Sequence, residues 1–232
     1  MKTIYLSREM AQLILLQRIE LLGPILKKFR KFFGRYIFTN FISKYLISKT
    51  LIGKKYLNLM NLEYENLSKF LDFNKKTILS IGPGMCGLEL VIYLKSHKNL
   101  FSIIEKNYIS KKVVYGWDKN NQEAYNRLDL VDKFLIKNGM KKEIFKIYDY
   151  DSDFLPTNSF DYIISLYSLD YHYDFNLYFE YFKKILNSNT KIIFDTIRPD
   201  YFKKIFTSVE IINIDENTVH KSKRIICSGL KN

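Results

Sequence analysis

The residues best suited to chemistry form a glycine-rich turn directly after a short apolar segment, 77–81. The turn reads GPGMCG and places glycine at positions 82, 84 and 87, the Gly-x-Gly-x-x-Gly pattern. Glycine is needed in such a turn because backbone N–H groups must approach a ligand without a Cβ in the way. A helix that begins directly behind the turn favours a negative or electron-rich group at its amino terminus. The pattern predicts a nucleotide-binding turn, although similar turns also occur without a ligand.

A carboxylate follows at the spacing that such a turn requires. Glu105 ends the next apolar segment, 100–104, and lies 23 residues after Gly82. An acidic residue about 20 residues beyond the first glycine hydrogen-bonds the ribose hydroxyls of a nucleotide cofactor. Dinucleotides and S-adenosylmethionine both carry this ribose, so the spacing leaves both open. The alternative without function is a solvated glutamate at the end of a strand.

The elements around the turn alternate between short strands and helices. This alternation predicts an α/β fold with a doubly wound, mostly parallel sheet of seven strands. No helical pattern separates the last two strands, which predicts an antiparallel hairpin at one edge and therefore an antiparallel last strand. The predicted strands are 77–81, 100–104, 143–148, 160–166, 191–195, 209–214 and 224–228, and the predicted helices are 88–95, 123–137 and 175–186.

The first third of the chain differs in pattern and charge. Apolar spacing predicts a helix over 5–22, another over 25–37, and two or three short helices over 40–72, with Gly53 as a break. Of the formal net charge of +13, residues 1–75 carry +9, from 14 Lys/Arg and 5 Asp/Glu. We therefore expect a basic helical N-terminal segment at 1–75 that precedes an α/β domain at 76–232.

The helix over 25–37 is amphipathic. At 100° per residue, one face is apolar and the opposite face is basic. One interpretation is a helix that binds a membrane surface or another anionic partner. The other is a helix whose apolar face packs on the protein while its lysine stems lie along the surface. The apolar face holds Ile25, Leu26, Phe29, Phe32, Phe33, Tyr36 and Ile37, and the basic face holds Lys27, Lys28, Arg30, Lys31 and Arg35.

Composition excludes several classes of protein. Hydrophobic residues make up 47% and charged residues 26%, which are globular values. The two cysteines, Cys86 and Cys227, are too few for a disulfide scaffold. No apolar run reaches the roughly 20 residues of a bilayer span, and Arg8 and Glu9 stand where a signal peptide would be apolar. We expect a cytoplasmic protein, with peripheral membrane contact through 25–37 as one option.

The segment after the third predicted strand narrows the choice of cofactor. It contains an acidic residue, Asp151, then Leu155-Pro156, then Phe160-Asp161 at the start of the fourth strand. In this order the motifs resemble those of the class I S-adenosylmethionine-dependent methyltransferases, whose sheet also ends in an antiparallel hairpin. The resemblance covers residues 76–228. It implies a Rossmann-like methyltransferase domain with S-adenosyl-L-methionine as the cofactor.

The resemblance also implies roles for individual residues. The turn with Gly82, Gly84 and Gly87 would pass beneath the methionine part of the cofactor. Glu105 would bind the ribose hydroxyls. Asp151 with Ser152 would meet the adenine edge, and Asp149 is a rival for that task because the strand end could shift by two residues.

One position departs from the family pattern. The family usually has an acidic residue two positions before the first glycine, and this sequence has Ser80 there. A hydroxyl can still hydrogen-bond the cofactor, and Glu89 on the following helix is a candidate substitute for the missing carboxylate. The segment at 106–119 would form a lid or an extra hairpin, in which Trp117 would stack on the adenine or simply pack.

The catalytic candidates follow the fourth strand. Ser165, at its end, would face both cofactor and substrate. Methyl transfer to a hydroxyl needs a base, and His172 stands near the place where many family members have a histidine. Asp170 is a second candidate, either as the base or as the group that orients His172. The alternative without catalysis is that His172 makes structural contacts at the start of a helix.

The residues directly after the fourth strand bear on the acceptor. Enzymes that methylate nucleobase amines often have Asn or Asp, two prolines and an aromatic residue there, whereas residues 165–168 read SLYS. This favours an oxygen or carbon acceptor. The leading hypothesis is a methyltransferase acting on a small-molecule or glycan hydroxyl. The alternatives are an RNA methyltransferase that uses the basic N-terminal segment, a nucleotide-binding module without catalysis and, last, a nicotinamide oxidoreductase.

Overall fold

The computed structural model describes residues 3–34, 37–38, 41, 45, 48–110, 124–214 and 221–231. The predictions for Trp117 and for most of the segment at 106–119 lie outside these residues. The described strands are β1 (Thr77–Ile81), β2 (Leu100–Glu105), β3 (Phe145–Asp149), β4 (Tyr162–Ser165), β5 (Lys191–Thr196), β6 (Phe206–Ile214) and β7 (Lys223–Leu230).

The seven strands form one sheet in the order β3-β2-β1-β4-β5-β7-β6. Strands β1 to β5 pair in parallel, and β7 runs antiparallel to both of its neighbours, β5 and β6. The prediction of a mostly parallel seven-stranded sheet with an antiparallel last strand is confirmed. Because parallel strands all end at the same edge, the turn after β1 and the ends of β2, β3 and β4 lie side by side.

Seven α-helices lie entirely within the described parts of the chain. They are α1 (Arg8–Gln17), α2 (Pro24–Phe33), α3 (Lys49–Leu67), α4 (Gly87–Lys95), α5 (Leu128–Lys137), α6 (Phe179–Ile185) and α7 (Pro199–Ile205). The helix predicted from residue 123 is too long, because residues 124–127 are not helical and Tyr125 bridges to Ile109. The helix predicted over 175–186 starts with a separate 3-10 turn, Phe175–Tyr178. Helix α7 was not predicted.

Helix α3 is continuous, so the prediction of short helices broken at Gly53 is wrong for this stretch. Glycine weakens a helix by only about 1 kcal/mol relative to alanine, and tertiary packing can outweigh that cost. Here the packing is close, because a Cβ on Gly53 would lie 3.2 Å from Leu6 Cδ1. Gly53 therefore lets the segment before α1 lie against α3.

The core has two layers that follow the alternation of side chains along the strands. Ile78 points to a cluster that also contains Met10 and Ile14 of α1 and Val91 of α4. The next residue, Leu79, points to the opposite cluster, which is built largely from phenylalanine rings. The helices before β1 therefore share a core with one face of the sheet. The division of the chain at residue 75 stays a prediction.

Helix α2 is an exception to this packing. It contains no buried residue, and only Leu26 among its apolar residues is partly buried against the core. The structure thus contradicts the interpretation in which its apolar face packs on the protein. In the described parts of the chain, no helix has both the length and the apolarity to cross a bilayer.

A buried charge network joins three elements. Arg224 of β7 donates from Nε to Asp195 Oδ1 of β5 at 3.0 Å and from Nη2 to Asp195 Oδ2 at 3.2 Å, and it also pairs with Glu63 of α3. Arg224 and Asp195 are each 2% exposed. Burial acts to lower the pKa of Arg224, but the two carboxylates outweigh it and raise that pKa. The guanidinium therefore stays charged and ties α3 to the sheet.

The Phe-Asp pair of the sequence motif has a structural task in this fold. Asp161 Oδ2 accepts hydrogen bonds from the backbone N–H and the hydroxyl of Thr77, at 2.8 and 2.9 Å. It thereby joins the start of β4 to the start of β1. Burial acts to raise the pKa of Asp161, but these hydrogen bonds and the charge of Lys76 lower it below 3.8.

Asp161→Asn is expected to destabilise the protein by about 1 kcal/mol at pH 7, since the carboxylate is partly exposed and screened. Because the folded-state pKa is lowered, this advantage of the wild type is present above the unfolded pKa and is lost as the pH falls through the folded one. Urea unfolding of both proteins from pH 7 to pH 3 measures the difference. A difference that grows in acid would contradict the assignment.

Candidate functional site

The glycine turn between β1 and α4 adopts the backbone that its sequence predicts. Gly82 and Gly84 have φ values of +61° and +64°, a region that favours glycine. Cys86 also has a positive φ, and it forms the N-cap of α4. The N–H of Gly82 donates to the carbonyl of Ile104 at 2.9 Å, which fixes the turn to β2.

Each glycine of the motif lies against a side chain of the protein. A Cβ on Gly82 would lie 2.0 Å from Ser168 Oγ, and one on Gly84 would lie 2.5 Å from Gln17 Oε1. A Cβ on Gly87 would lie 2.5 Å from the Tyr56 ring, whose hydroxyl accepts from the Gly87 N–H at 3.0 Å. The glycines therefore serve close packing within the protein as well as any approach to a ligand.

Gly82→Ala is expected to destabilise the protein by about 3 kcal/mol or more. The left-handed backbone costs about 1–2 kcal/mol with a Cβ, and the overlap with Ser168 adds about 1–3 kcal/mol. Gly139→Ala is the matched control, because Gly139 has φ +90° and no atom within 4 Å of its would-be Cβ. Chemical denaturation of both variants separates backbone strain from overlap. Equal losses of stability in the two would contradict the contact with Ser168.

Glu105 stands at the end of β2 and contacts the turn directly. Its Oε2 accepts from the Gly84 N–H at 2.9 Å, and its Oε1 accepts from the Lys106 N–H at 2.9 Å. The amide of Asn126 donates to the Gly84 carbonyl at 2.7 Å. Burial raises the pKa of Glu105, and the two N–H donors oppose this effect. The predicted pairing of glycine turn and carboxylate is present.

A cavity of about 200 Å³ opens beside the turn, at the ends of β1, β2 and β3. Gly82, Glu105 and Asp151 line it, and so do the side chains of three tyrosines. Drug-sized ligands occupy pockets of roughly 300–1,000 Å³, so this cavity is sized for part of a nucleotide cofactor. The three tyrosines are Tyr150, Tyr173 and Tyr178.

Of the two candidates for the adenine edge, Asp151 lines the cavity and pairs with Lys106 Nζ at 3.2 Å. Asp149 instead closes the turn after β3, because its Oδ1 accepts from the Asp151 N–H at 3.2 Å. Ser152 is exposed in that turn and is not part of the cavity wall. The geometry favours Asp151 over its rival.

Comparisons with known proteins bear on the fold. A scan of protein-family models gives no match, and neither does a comparison with curated protein sequences. Among solved structures, the chain is similar to the N,N-8-amino-8-demethyl-D-riboflavin dimethyltransferase of Streptomyces davawensis, with TM-score 0.52 and 11% identity over 96% of this chain and 69% of that one. It is also similar to the pyocyanin biosynthetic protein PhzM, with TM-score 0.50 and 11% identity over 97% and 74%.

The strand order distinguishes this sheet from the dinucleotide-binding sheet. The dinucleotide-binding sheet has the order 3-2-1-4-5-6, whereas here an antiparallel β7 is inserted between β5 and β6. The chain shares its overall fold with the two solved structures named above. The cavity at the ends of β1 to β3 lies at the carboxyl edge of the sheet, where ligands of open α/β sheets bind.

Ser80 of β1 and Glu89 of α4 lie close to each other in the structure. The Ser80 hydroxyl and Glu89 Oε2 are both buried and have no hydrogen-bond partner within 3.5 Å in the described structure. Burial raises the pKa of Glu89, while the nearby Ser80 and the charge of Arg18 act to lower it. A buried carboxylate on α4 thus lies close to Ser80 of β1.

Ser165 lies at the end of β4 as predicted, but its hydroxyl is used inside the protein. It donates to the Ile81 carbonyl at 2.7 Å and accepts from the Leu169 N–H at 2.9 Å. The next loop is fixed further by Tyr167, whose N–H donates to Asp195 Oδ2 at 2.9 Å. Ser165 therefore supports the loop that carries the catalytic candidates.

The two catalytic candidates occupy different environments. His172 is exposed, and its ring makes an edge contact with Tyr171. Asp170 is 1% exposed and has a positive φ. Its carboxylate accepts from Thr196 Oγ1 at 2.6 Å and from Arg198 Nε at 3.2 Å. Burial raises the pKa of Asp170, against the effect of these two donors.

Sequence reasoning missed three side chains, two of which hold the turn, while the third, that of Lys106, pairs with Asp151. Gln17 at the end of α1 accepts from the Met85 N–H at 3.2 Å and donates to the Tyr125 carbonyl at 2.8 Å. Asn126 and Lys106 complete the set. Only Lys106 could have been found, because it adjoins Glu105. The other two come from segments distant in sequence, with no motif around them.

Proposed function

We propose that the protein is an S-adenosyl-L-methionine-dependent methyltransferase that methylates a hydroxyl of a small molecule or glycan. The observation that carries this proposal is the cavity beside the glycine turn, lined by two carboxylates and three tyrosines. A nucleoside offers ribose hydroxyls and an exocyclic amine as donors, and both need acceptors such as carboxylates. Aromatic rings suit the faces of the base.

The cofactor part of the proposal assigns each group a task. Glu105 accepts from the ribose hydroxyls, and Asp151 accepts from the adenine amine, with Ser152 beside it. Glu89 faces the methionine ammonium in place of the usual acidic residue, across from Ser80. When bound, S-adenosyl-L-methionine supplies a methyl group activated on a sulfonium. The remaining catalysis is alignment of the acceptor with that group, which is the main source of rate in such transfers.

The acceptor part of the proposal rests on the loop after β4. His172 is the proposed base, because its side chain is exposed whereas that of Asp170 is buried. Asp170 is proposed as a positioning residue, since it ties this loop to Arg198 and Thr196. A hydroxyl acceptor requires such a base near neutral pH, and an imidazole has a suitable pKa.

Calorimetric titration with S-adenosylhomocysteine, with NAD as the control ligand, tests the cofactor. We expect binding of S-adenosylhomocysteine at micromolar concentration, about −8 kcal/mol, and no binding of NAD.

Transfer of labelled methyl groups to panels of sugars, phenols and RNA then tests the acceptor. Transfer to RNA with affinity that falls steeply with salt would replace the small-molecule acceptor. Binding without transfer to any acceptor would favour a module without catalysis.

His172→Ala is expected to lower the rate of transfer by about 10²–10⁴-fold and to leave S-adenosylhomocysteine binding unchanged. His97→Ala is the matched control, since that histidine lies against Tyr93 at the end of α4. Single-turnover kinetics and calorimetry on both variants measure the two effects. A full rate in His172→Ala would remove the histidine from the mechanism without affecting the cofactor assignment.

A further inference from the structure

Helix α2 presents an apolar surface that the rest of the protein does not cover. We call it the apolar arc, formed by Ile25, Phe29, Phe32 and Phe33. Their exposed fractions are 71%, 47%, 83% and 42%. The rings contact one another, with Phe32 and Phe33 edge to face at 4.9 Å between centroids. Contiguous exposed apolar patches of this kind mark interaction sites in folded proteins.

The charges of α2 lie beside the apolar arc rather than within it. At 100° per residue, the arc spans about 100° of the helix, and Lys27, Lys28 and Lys31 follow on the far side. The helix is attached along the boundary between the two faces, where Leu26 packs against the core. This attachment leaves both the arc and the lysines facing solvent.

The surroundings of α2 extend both features. Ile37, Phe41 and Tyr45 are also exposed, while Phe38 is fully buried in the core. The sequence contains no Asp or Glu between Glu20 and Glu63, although it has nine Lys or Arg there. The described surface of α2 therefore combines exposed apolar side chains with the exposed lysines Lys27, Lys28 and Lys31.

We propose that α2 binds in the plane of an anionic lipid membrane. The apolar arc would enter the boundary between headgroups and acyl chains, and the lysines would reach the phosphates. A nucleic acid would satisfy the lysines but leave four large apolar side chains in water. A second copy of this chain would bring two positive segments together. An anionic membrane is the partner that both pairs with the lysines and removes the apolar arc from water. This inference does not depend on methyl transfer.

The test is co-sedimentation of the full chain with vesicles of phosphatidylcholine alone or with phosphatidylglycerol added. We expect binding only to the anionic vesicles. Phe32→Ser should weaken it about tenfold or more, whereas Phe154→Ser should not, although Phe154 is 99% exposed. The double variant Lys27→Glu/Lys31→Glu should also weaken binding tenfold or more. Its control, Lys137→Glu/Lys141→Glu, makes the same charge change on exposed lysines elsewhere.

Circular dichroism of each variant checks that it is folded. Three results would overturn the proposal. The first is no binding of folded wild-type protein to anionic vesicles. The second is equal weakening by Phe32→Ser and Phe154→Ser. The third is self-association in the absence of lipid that Phe32→Ser abolishes, which would assign the arc to a contact between two copies. None of these results bears on the binding of S-adenosylhomocysteine, so the two proposals fail separately.

Discussion

Glu105→Ala is expected to weaken binding of S-adenosylhomocysteine by about a hundredfold or more. The Glu105 carboxylate lines the cavity and also accepts from the Gly84 N–H. If Glu105 binds the ribose as proposed, its loss removes charge-assisted hydrogen bonds, each worth about 1.5–3 kcal/mol, and the contact with the Gly84 N–H is lost as well. Calorimetric titration of the variant measures the change. Because burial raises the pKa of Glu105 above 4.5, wild-type affinity should begin to fall in mild acid, at a pH above that value.

Two further variants separate the role of the Glu105 charge from a general effect of removing a carboxylate. Glu105→Gln keeps the size and one acceptor oxygen, so it should retain the turn but lose part of the affinity. Glu143→Ala removes an exposed carboxylate just before β3 and should change nothing. Wild-type affinity in folded Glu105→Ala would show that the ligand does not use this carboxylate, and the assignment of Glu105 to the ribose would then fail while the cofactor itself would still be bound.

Arg224→Met is expected to destabilise the protein by about 3–5 kcal/mol, the largest effect on folding that we anticipate. Removal of one partner from a buried ion pair leaves uncompensated charge in the interior. Here two carboxylates, Asp195 and Glu63, would lose their shared cation. At about 2–4 °C per kcal/mol for a chain of this size, the melting temperature should fall by about 10 °C. Guanidinium denaturation gives the free energy of unfolding directly.

The matched control is Arg127→Met, which removes an arginine from the exposed ion pair with Asp129. Exposed pairs are worth about 0–1 kcal/mol, so little change is expected. Adding Asp195→Asn and Glu63→Gln to Arg224→Met should restore part of the stability, because the damage comes from the unpaired charges. If the triple variant is less stable than the single one, the network acts through packing rather than charge.

The parts of the fold that the sequence predicted well depend on local patterns. Strand β1 was predicted with the bounds that the structure shows, because a compact apolar run ends at a glycine turn. The approach of Glu105 to that turn follows from strand length and parallel pairing alone. The sequence predicts Asp151 at the adenine edge with Asp149 as a rival, since a two-residue shift at a strand end is invisible in sequence. In the structure Asp151 lines the cavity and Asp149 does not, and the contact with adenine stays a prediction.

The parts that failed depend on contacts between distant segments. Gly53 lies within α3 because Leu6 packs against it, and no local signal reports that contact. Gln17 reaches the glycine turn from a helix 68 residues earlier than Met85. Periodicity identified the apolar face of α2, but only the fold could show that this face remains uncovered. The placement of Asp170 against Arg198 likewise joins two loops that are separate in sequence.

The insertion of β7 between β5 and β6 has a consequence for folding during synthesis. Strand β6 leaves the ribosome before β7. Both strand pairings at this edge of the sheet, β5 with β7 and β6 with β7, require β7. Until Lys223–Leu230 has emerged, β5 is an open edge and β6 has no strand to pair with. Arg224 arrives with β7, so Asp195 and Glu63 also stay unpaired until then. A nascent chain that stalls before residue 223 thus presents an exposed strand edge, the kind of surface that chaperones hold and that aggregation uses.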